Sequence, residues 1–270
     1  LTYRSSFHSN GKLLLSGEYF VLDGAKAIGL PCRYGQKLTI ENIEDDFIKW
    51  ESLNQKKEVW FEATFRRSDF EIQQYSDSQI AKTLQNILHQ TRSLNPNFLS
   101  HSGGFAGRTF LEFPRLWGLG SSSTLINNIA QWADVNPFEL SRLTLGGSGY
   151  DIACASATGP ISYQLESGKP HVEPIDFNPP FKDQLYFIYL GRKQNSREGI
   201  KHYRAATDNH LELVEKISSI NEAIIRTKDL ASFQDLILEH ERIVSTTINI
   251  PKVQDSLFED FHGAVKSLGA

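Results

Sequence analysis

One stretch constrains this chain more than any other: Trp117-Gly118-Leu119-Gly120-Ser121-Ser122-Ser123-Thr124. Residues 109–113 before it are β-branched or aromatic and closed by Pro114, which predicts a strand. After it, Leu125, Ile126, Ile129, Ala130 and Ala133 recur at helical spacing, so a helix is predicted to begin within the serine run. A helix start offers unpaired N–H groups and a partial positive charge, and glycines just ahead let the backbone close around an anion. Two readings stand at this point: a phosphate site, or an ordinary strand-to-helix turn with serine caps. Neither Gly11-Lys12-Leu13 nor Gly168-Lys169-Pro170 completes a Walker loop, and Ser123 stands where a dinucleotide fingerprint needs its third glycine.

The rest of the composition narrows the ligand. At 270 residues the chain can build one large domain or two modest ones. Its apolar fraction of 40% and seventeen phenylalanines argue for a packed core. A net charge of −4 gives no electrostatic footprint for nucleic acid or an anionic membrane, so a small-molecule substrate is expected. No apolar run approaches the ~20 residues that cross a bilayer, and the N-terminus lacks the layout of a signal peptide, so the expected location is cytoplasmic. Cys32 and Cys154 lack metal-ligand spacing and read as buried thiols. There is no methionine, not even an initiator, which points to trimmed or incomplete ends.

In chain order, residues 13–15 read as a buried strand, residues 19–22 as a short apolar piece and Asp23-Gly24 as a tight turn. Lys12 and Glu18 flank the first apolar run. They are either solvated strand-end charges, or Lys12 meets an anionic group while Glu18 holds a polar substrate or a partner residue. Residues 36–40, 47–50 and 59–65 predict one mostly antiparallel sheet. A helix is predicted from Ser78, with Ile80, Leu84, Ile87 and Leu88 on one face and Asn95-Pro96 as its end; residues 102–107 read as a flexible turn. Asn136 is the expected cap of a further helix with Pro137 at its first position. A second glycine cluster, Gly146-Gly147-Ser148-Gly149-Tyr150-Asp151, then delivers Asp151 at the start of a small-residue segment. That carboxylate is either a cap or first-turn aspartate, or a base that deprotonates a hydroxyl beside bound phosphates. Beyond it, residues 161–165 and 185–190 are predicted strands, the second buried, followed by a basic loop over 191–198 in which Ser196 could cap a helix. Residues 205–247 carry a helical pattern. Val244 stands where a zinc motif beginning at His240 would need its second histidine, so His240 reads as a surface or core residue.

Three of these stretches together resemble the GHMP kinase superfamily, which includes galactokinase, homoserine kinase, mevalonate kinase and phosphomevalonate kinase. They are Gly11-Lys12-Leu13-Leu14-Leu15-Ser16-Gly17-Glu18-Tyr19, Gly118-Leu119-Gly120-Ser121-Ser122-Ser123 and Gly147-Ser148-Gly149-Tyr150-Asp151, in the family's order. The resemblance implies an α+β, two-lobed fold: an N-terminal lobe over 1–158 like ribosomal protein S5 domain 2, and a ferredoxin-like C-terminal lobe over 159–270. It implies ATP and Mg2+ as cofactors, Asp151 as catalytic base and Lys12 as the active-site lysine. Gly118, Leu119, Gly120, Ser121, Ser122, Ser123 and Thr124 would bind nucleotide phosphate, and Glu18, Tyr19, Gly149 and Tyr150 the substrate. Ser122 would bind magnesium, with Glu139 the candidate for the family's metal-binding glutamate because the segment before Asp151 is short. The family's third, glycine-rich motif is met only by Ala264-Val265-Lys266-Ser267-Leu268-Gly269-Ala270, so either the chain is incomplete or part of the site is missing. Gly17-Glu18-Tyr19 looks more like phosphomevalonate kinase than mevalonate kinase. The implied activity is transfer of the ATP γ-phosphoryl group to a hydroxyl or phosphate of a metabolite. A diphosphomevalonate decarboxylase-like lyase and a non-catalytic nucleotide-binding homologue are the alternatives, and a homodimer is an open assembly state.

Overall fold

The computed structural model describes residues 4–191, 196–205 and 210–268. Contacts divide the chain into two units, Leu1–Gly11 with Cys32–Ser156 and Lys12–Pro31 with Ala157–Ala270. The segment Lys12–Pro31 therefore belongs with the C-terminal half, whereas a single boundary after residue 158 was expected from sequence.

In the first unit, strands β1 (Arg4–Ser16) and β2 (Ala27–Ile43) contribute their outer portions, followed by β3 (Phe47–Leu53), β4 (Val59–Arg66), β5 (Ile72–Tyr75) and β6 (Gly104–Leu111). The order is β5-β4-β3-β6-β2, with β1 beside β2. The sheet is mostly antiparallel, as the pattern over residues 36–65 predicted, but β6 lies between β2 and β3, antiparallel to the first and parallel to the second. Period-two patterning shows which residues share a face but carries no information about which strand lies alongside. Part of the turn expected over 102–107 is consequently strand. One sheet face is covered by α1 (Ser78–Leu94), α2 (Ser121–Ala133), α3 (Pro137–Thr144) and α4 (Tyr150–Ser156), around a core that includes Leu38, Trp50, Phe61, Phe65, Leu88, Ile126 and Ile152. Asp77 caps α1 by accepting from Gln79 and Ile80 N–H, and Asn136 caps α3 with Pro137 at its first position.

In the second unit the inner part of β2 pairs with β7 (Ile161–Glu166), and β7 with β8 (Lys169–Pro174). The short apolar piece at residues 19–22 folds largely as a 3₁₀ turn, Phe20–Asp23. After α5 (Ser196–Ala205), the helical pattern over 205–247 resolves into α6 (His210–Arg226) and α7 (Leu230–Ile248), with α8 (Val253–Leu257) after them. Asp229 separates α6 from α7 by capping the latter, accepting from Ser232 N–H at 2.8 Å. Tyr19, Phe20, Ile217, Ile224, Phe233 and Ile243 centre the core of this unit. The strand expected at 185–190 is absent: no strand is assigned there, and Tyr186 is 80% exposed with Phe187, Ile188, Tyr189 and Leu190 also at the surface. Apolar composition favours burial, but a strand also needs a neighbouring backbone, and no described strand pairs with this run. The basic residues at 192–195 and the side chain of Ser196 lie outside the described set, as do Gly269 and Ala270. Among the described residues no helix is long and apolar enough to cross a membrane.

Candidate active site

The glycine–serine stretch folds as its pattern requires. After β6 the chain passes through a 3₁₀ turn, Arg115–Trp117, and then Gly118 and Gly120 adopt φ of 73° and 85°, a left-handed conformation costly for any residue with a Cβ. α2 begins directly at Ser121. No side chain caps it. The Ser123 hydroxyl donates to the Gly120 carbonyl at 2.8 Å, and the Thr124 hydroxyl sits 3.0 Å from the Ser121 carbonyl. Both side chains are turned into the protein and buried, while Ser121 is half-buried and Ser122 exposed. The serine-cap alternative is thus not what the geometry adopts; the first turn keeps N–H groups without a side-chain partner, beside an exposed hydroxyl.

Gly11 backs onto this loop. A Cβ at residue 11 would fall 3.1 Å from the Leu119 carbonyl and 2.8 Å from that of Tyr34, so only glycine lets β1 run this close. Lys12 is the next residue along β1 and is half-buried.

Asp151 lies in the same unit, in the first turn of α4. The Gly149 carbonyl, at a glycine with φ of 85°, accepts from Ile152 and Ala153 N–H at 3.0 and 3.1 Å and so starts the helix. Tyr150, Ile152, Ala153, Cys154 and Ala155 are buried, leaving Asp151 half-buried on the remaining face. Among the described residues its carboxylate takes part in no hydrogen bond or ion pair, so it does not serve as a cap. α4 packs against both α2 and α3, which ties this carboxylate to the helix that carries the loop. Glu139 is exposed in the first turn of α3. No group of three or more His, Cys, Asp or Glu side chains that could hold a metal occurs among the described residues. This does not oppose a magnesium ion carried on phosphates, which needs only one or two protein oxygens.

Glu18 and Tyr19 belong to the second unit and are buried. Glu18, 2% exposed, forms an ion pair with Lys266, a residue that carried no role in the sequence beyond its place in the third motif. Its second oxygen lies 3.5 Å from His240 Nε2, which accepts the Gly17 N–H at 2.8 Å. Glu241 is buried beside them and accepts from Ser267 N–H at 3.1 Å. Burial pushes the Glu18 carboxyl above its ordinary range despite Lys266, and holds the His240 imidazole well below its usual value, so His240 is neutral with its proton on Nδ1. Tyr19 has φ of 61°, rare for an aromatic residue, and stacks on Tyr203 with ring centroids 6.0 Å apart. Its hydroxyl is pushed up to about 12, first by burial and then by the charges of Glu18 and Glu241.

Sequence reasoning also missed the buried polar side chains beneath α2: Ser9, Gln36, Asn127 and Asn128. The available signal was two adjacent asparagines inside the apolar stripe of a predicted helix.

No family profile and no curated protein matches the sequence. Solved structures do match in fold. Methanococcus jannaschii mevalonate kinase aligns over 95% of this chain and 83% of its own, with a TM-score of 0.65 and 15% identity. Streptococcus pneumoniae phosphomevalonate kinase, solved with phosphomevalonate and AMPPNP, aligns over 98% and 88% with a TM-score of 0.67 and 12% identity. Mevalonate diphosphate decarboxylase from Staphylococcus aureus aligns over 95% and 79%, at 0.56 and 13%. The chain has the mixed α+β fold of these proteins, the fold class that its motifs implied.

Proposed function

We propose that this chain is an ATP- and magnesium-dependent kinase that transfers the γ-phosphoryl group to a hydroxyl or phosphate of a small metabolite of the mevalonate or phosphomevalonate type. The observation that carries the reading is the uncapped, glycine-flanked start of α2, in one unit with the carboxylate of Asp151, which has no partner among the described residues. Backbone N–H groups from Gly118 to Ser123 suit the nucleotide phosphates, whereas the Thr124 N–H already donates to the Gly120 carbonyl at 3.0 Å. For a hydroxyl acceptor, Asp151 takes the proton as the new O–P bond forms and the bond to the β-phosphate oxygen breaks, releasing ADP. A phosphate acceptor is already ionised and needs orientation more than deprotonation. Lys12 would neutralise charge on the transferring group, and Glu18, Tyr19, Gly149 and Tyr150 are the assigned acceptor-side residues. In the case of Glu18 and Tyr19, burial favours action through the shape of the turn they form. Ser122 and Glu139 would hold magnesium, which would supply charge neutralisation for the phosphates.

The fold shared with a decarboxylase keeps a second reading in view, phosphorylation followed by loss of carbon dioxide. ADP release measured against mevalonate, phosphomevalonate, diphosphomevalonate, homoserine and galactose tests both. Turnover without carbon dioxide is expected; stoichiometric carbon dioxide would establish the lyase, and nucleotide binding with no turnover would reject both.

A further inference from the structure

The polar side chains beneath α2 form a connected set that core packing does not require. Asn127 and Asn128 interrupt a buried face otherwise made by Ile126, Ile129 and Ala130. Asparagine is a weak helix former, and a buried amide is costly unless its partners are met. Here they are met from two strands. Ser9 on β1 donates to Asn128 Oδ1 at 2.8 Å and accepts from Asn127 Nδ2 at 2.9 Å. On β2, the Gln36 backbone carbonyl accepts from Asn128 Nδ2 at 2.8 Å, and the Gln36 side-chain oxygen lies 3.2 Å from the Thr124 hydroxyl. All five residues are buried, and all belong to the first unit.

An apolar helix face can slide or rotate slightly on a sheet at small cost. This one cannot, because a small slide would leave several buried polar groups unpaired at ~1–3 kcal/mol each. The restraint acts on the first two turns of α2, where the uncapped N–H groups sit. We propose that Ser9, Gln36, Asn127 and Asn128 are positioning residues that fix the depth and rotation of α2 and so preset its N-terminus for the phosphates of a nucleotide. They act through the helix and touch no ligand. The nucleotide part of the proposal rests on the kinase reading; the restraint on α2 does not.

The test is an isosteric pair at the residue that joins the network to the loop. Thr124→Val removes the hydroxyl without changing shape, and Thr124→Ser keeps it. The valine variant is expected to raise the Kd and KM for ATP about tenfold while leaving the KM of the acceptor within about twofold, and serine should restore both. Amide exchange across residues 124–127, measured without nucleotide, should quicken in Thr124→Val and in Asn128→Leu but not in Thr124→Ser. Parallel shifts in the constants for ATP and acceptor, unchanged ATP affinity in a folded valine variant, or unchanged exchange would each overturn the proposal. Should the wild-type protein bind no ATP, the kinase reading falls, and exchange alone decides the restraint. If Asn128→Leu does not fold, the threonine pair still decides.

Discussion

Two buried polar regions invite comparison. Beneath α2, hydroxyls and amides pair among themselves with no formal charge. Around Glu18, two carboxylates, a lysine and a histidine are buried together, and Glu18 Oε2, His240 Nδ1 and Ser16 Oγ have no hydrogen-bond partner among the described residues. The neutral network meets its own desolvation cost through complete pairing, so it specifies position cheaply and is indifferent to pH. The charged cluster is poorer in partners. Replacing such a cluster by apolar residues is often neutral or stabilising, so its presence argues for a role in holding the Ser16–Gly17–Glu18–Tyr19 turn in its strained shape rather than for stability as such.

The sharpest separation comes at Asp151, whose carboxylate takes part in no hydrogen bond or ion pair among the described residues. Asp151→Ala should lower kcat by about 10²- to 10⁴-fold and leave the unfolding transition of the first unit unchanged. All four tryptophans, Trp50, Trp60, Trp117 and Trp132, belong to that unit, so their fluorescence follows it directly. Undiminished turnover would remove Asp151 from the role of base.

Next in size is the loss of one partner in the charged cluster. Lys266→Met leaves Glu18 buried without its cation and should destabilise the second unit by about 3–5 kcal/mol, with faster amide exchange in residues 12–31 and 230–248. Adding Glu18→Gln should recover most of that loss. If the double variant is no more stable than the single one, the lysine acts through something other than Glu18.

The two regions also differ in how much of them was legible. The loop, its helix, the capped α3 and the position of Asp151 could be read from residues 109–151 because each is local: a glycine needs a left-handed turn, a proline needs a first helical position, an apolar stripe needs a core. What could not be read is non-local. Nothing in the sequence near Glu18 names Lys266, 248 residues away. Nothing within the strand patterns places β6 between β2 and β3. The run at 185–190 failed in the opposite sense: it has the composition of a core strand, but burial there requires a neighbour that local pattern cannot supply.

Acid should separate the regions again. The His240 pKa is depressed on folding, so its contribution is present above its ordinary value of 6.5 and is lost as pH falls below it. Glu18 has the opposite sign: its raised pKa favours the folded state below 4.5 and ceases to do so as pH rises through the folded value. As pH falls from 6.5 to 5 the two groups act on the second unit in opposite directions, the histidine contributing a loss of up to about 1.4 kcal/mol per pH unit and Glu18 offsetting it as its carboxyl takes up a proton in the folded state. Tryptophan-detected stability of the α2 network should change little over the same interval. His240→Gln, which can still accept the Gly17 N–H, should flatten the acid limb. An unaltered acid limb in that variant would show that another group is being protonated.

The smallest expected effect tests the neutral network on its own terms. Asn128→Leu alone leaves the Ser9 hydroxyl and the Gln36 carbonyl short of a partner, and should cost about 1–3 kcal/mol. Ser9→Ala alone unpairs Asn127 and Asn128 and should cost a similar amount. Together the two substitutions remove both sides of the Ser9–Asn128 bond, so the double variant should be more stable than the sum of the single losses by about 0.5–3 kcal/mol. Denaturant unfolding followed by tryptophan fluorescence measures all four corners of this cycle. Strict additivity would mean that Ser9 and Asn128 do not restrain α2 as a unit; strong coupling combined with weakened ATP affinity in the double variant would show that the network contributes register to the phosphate loop more than it contributes stability to the fold.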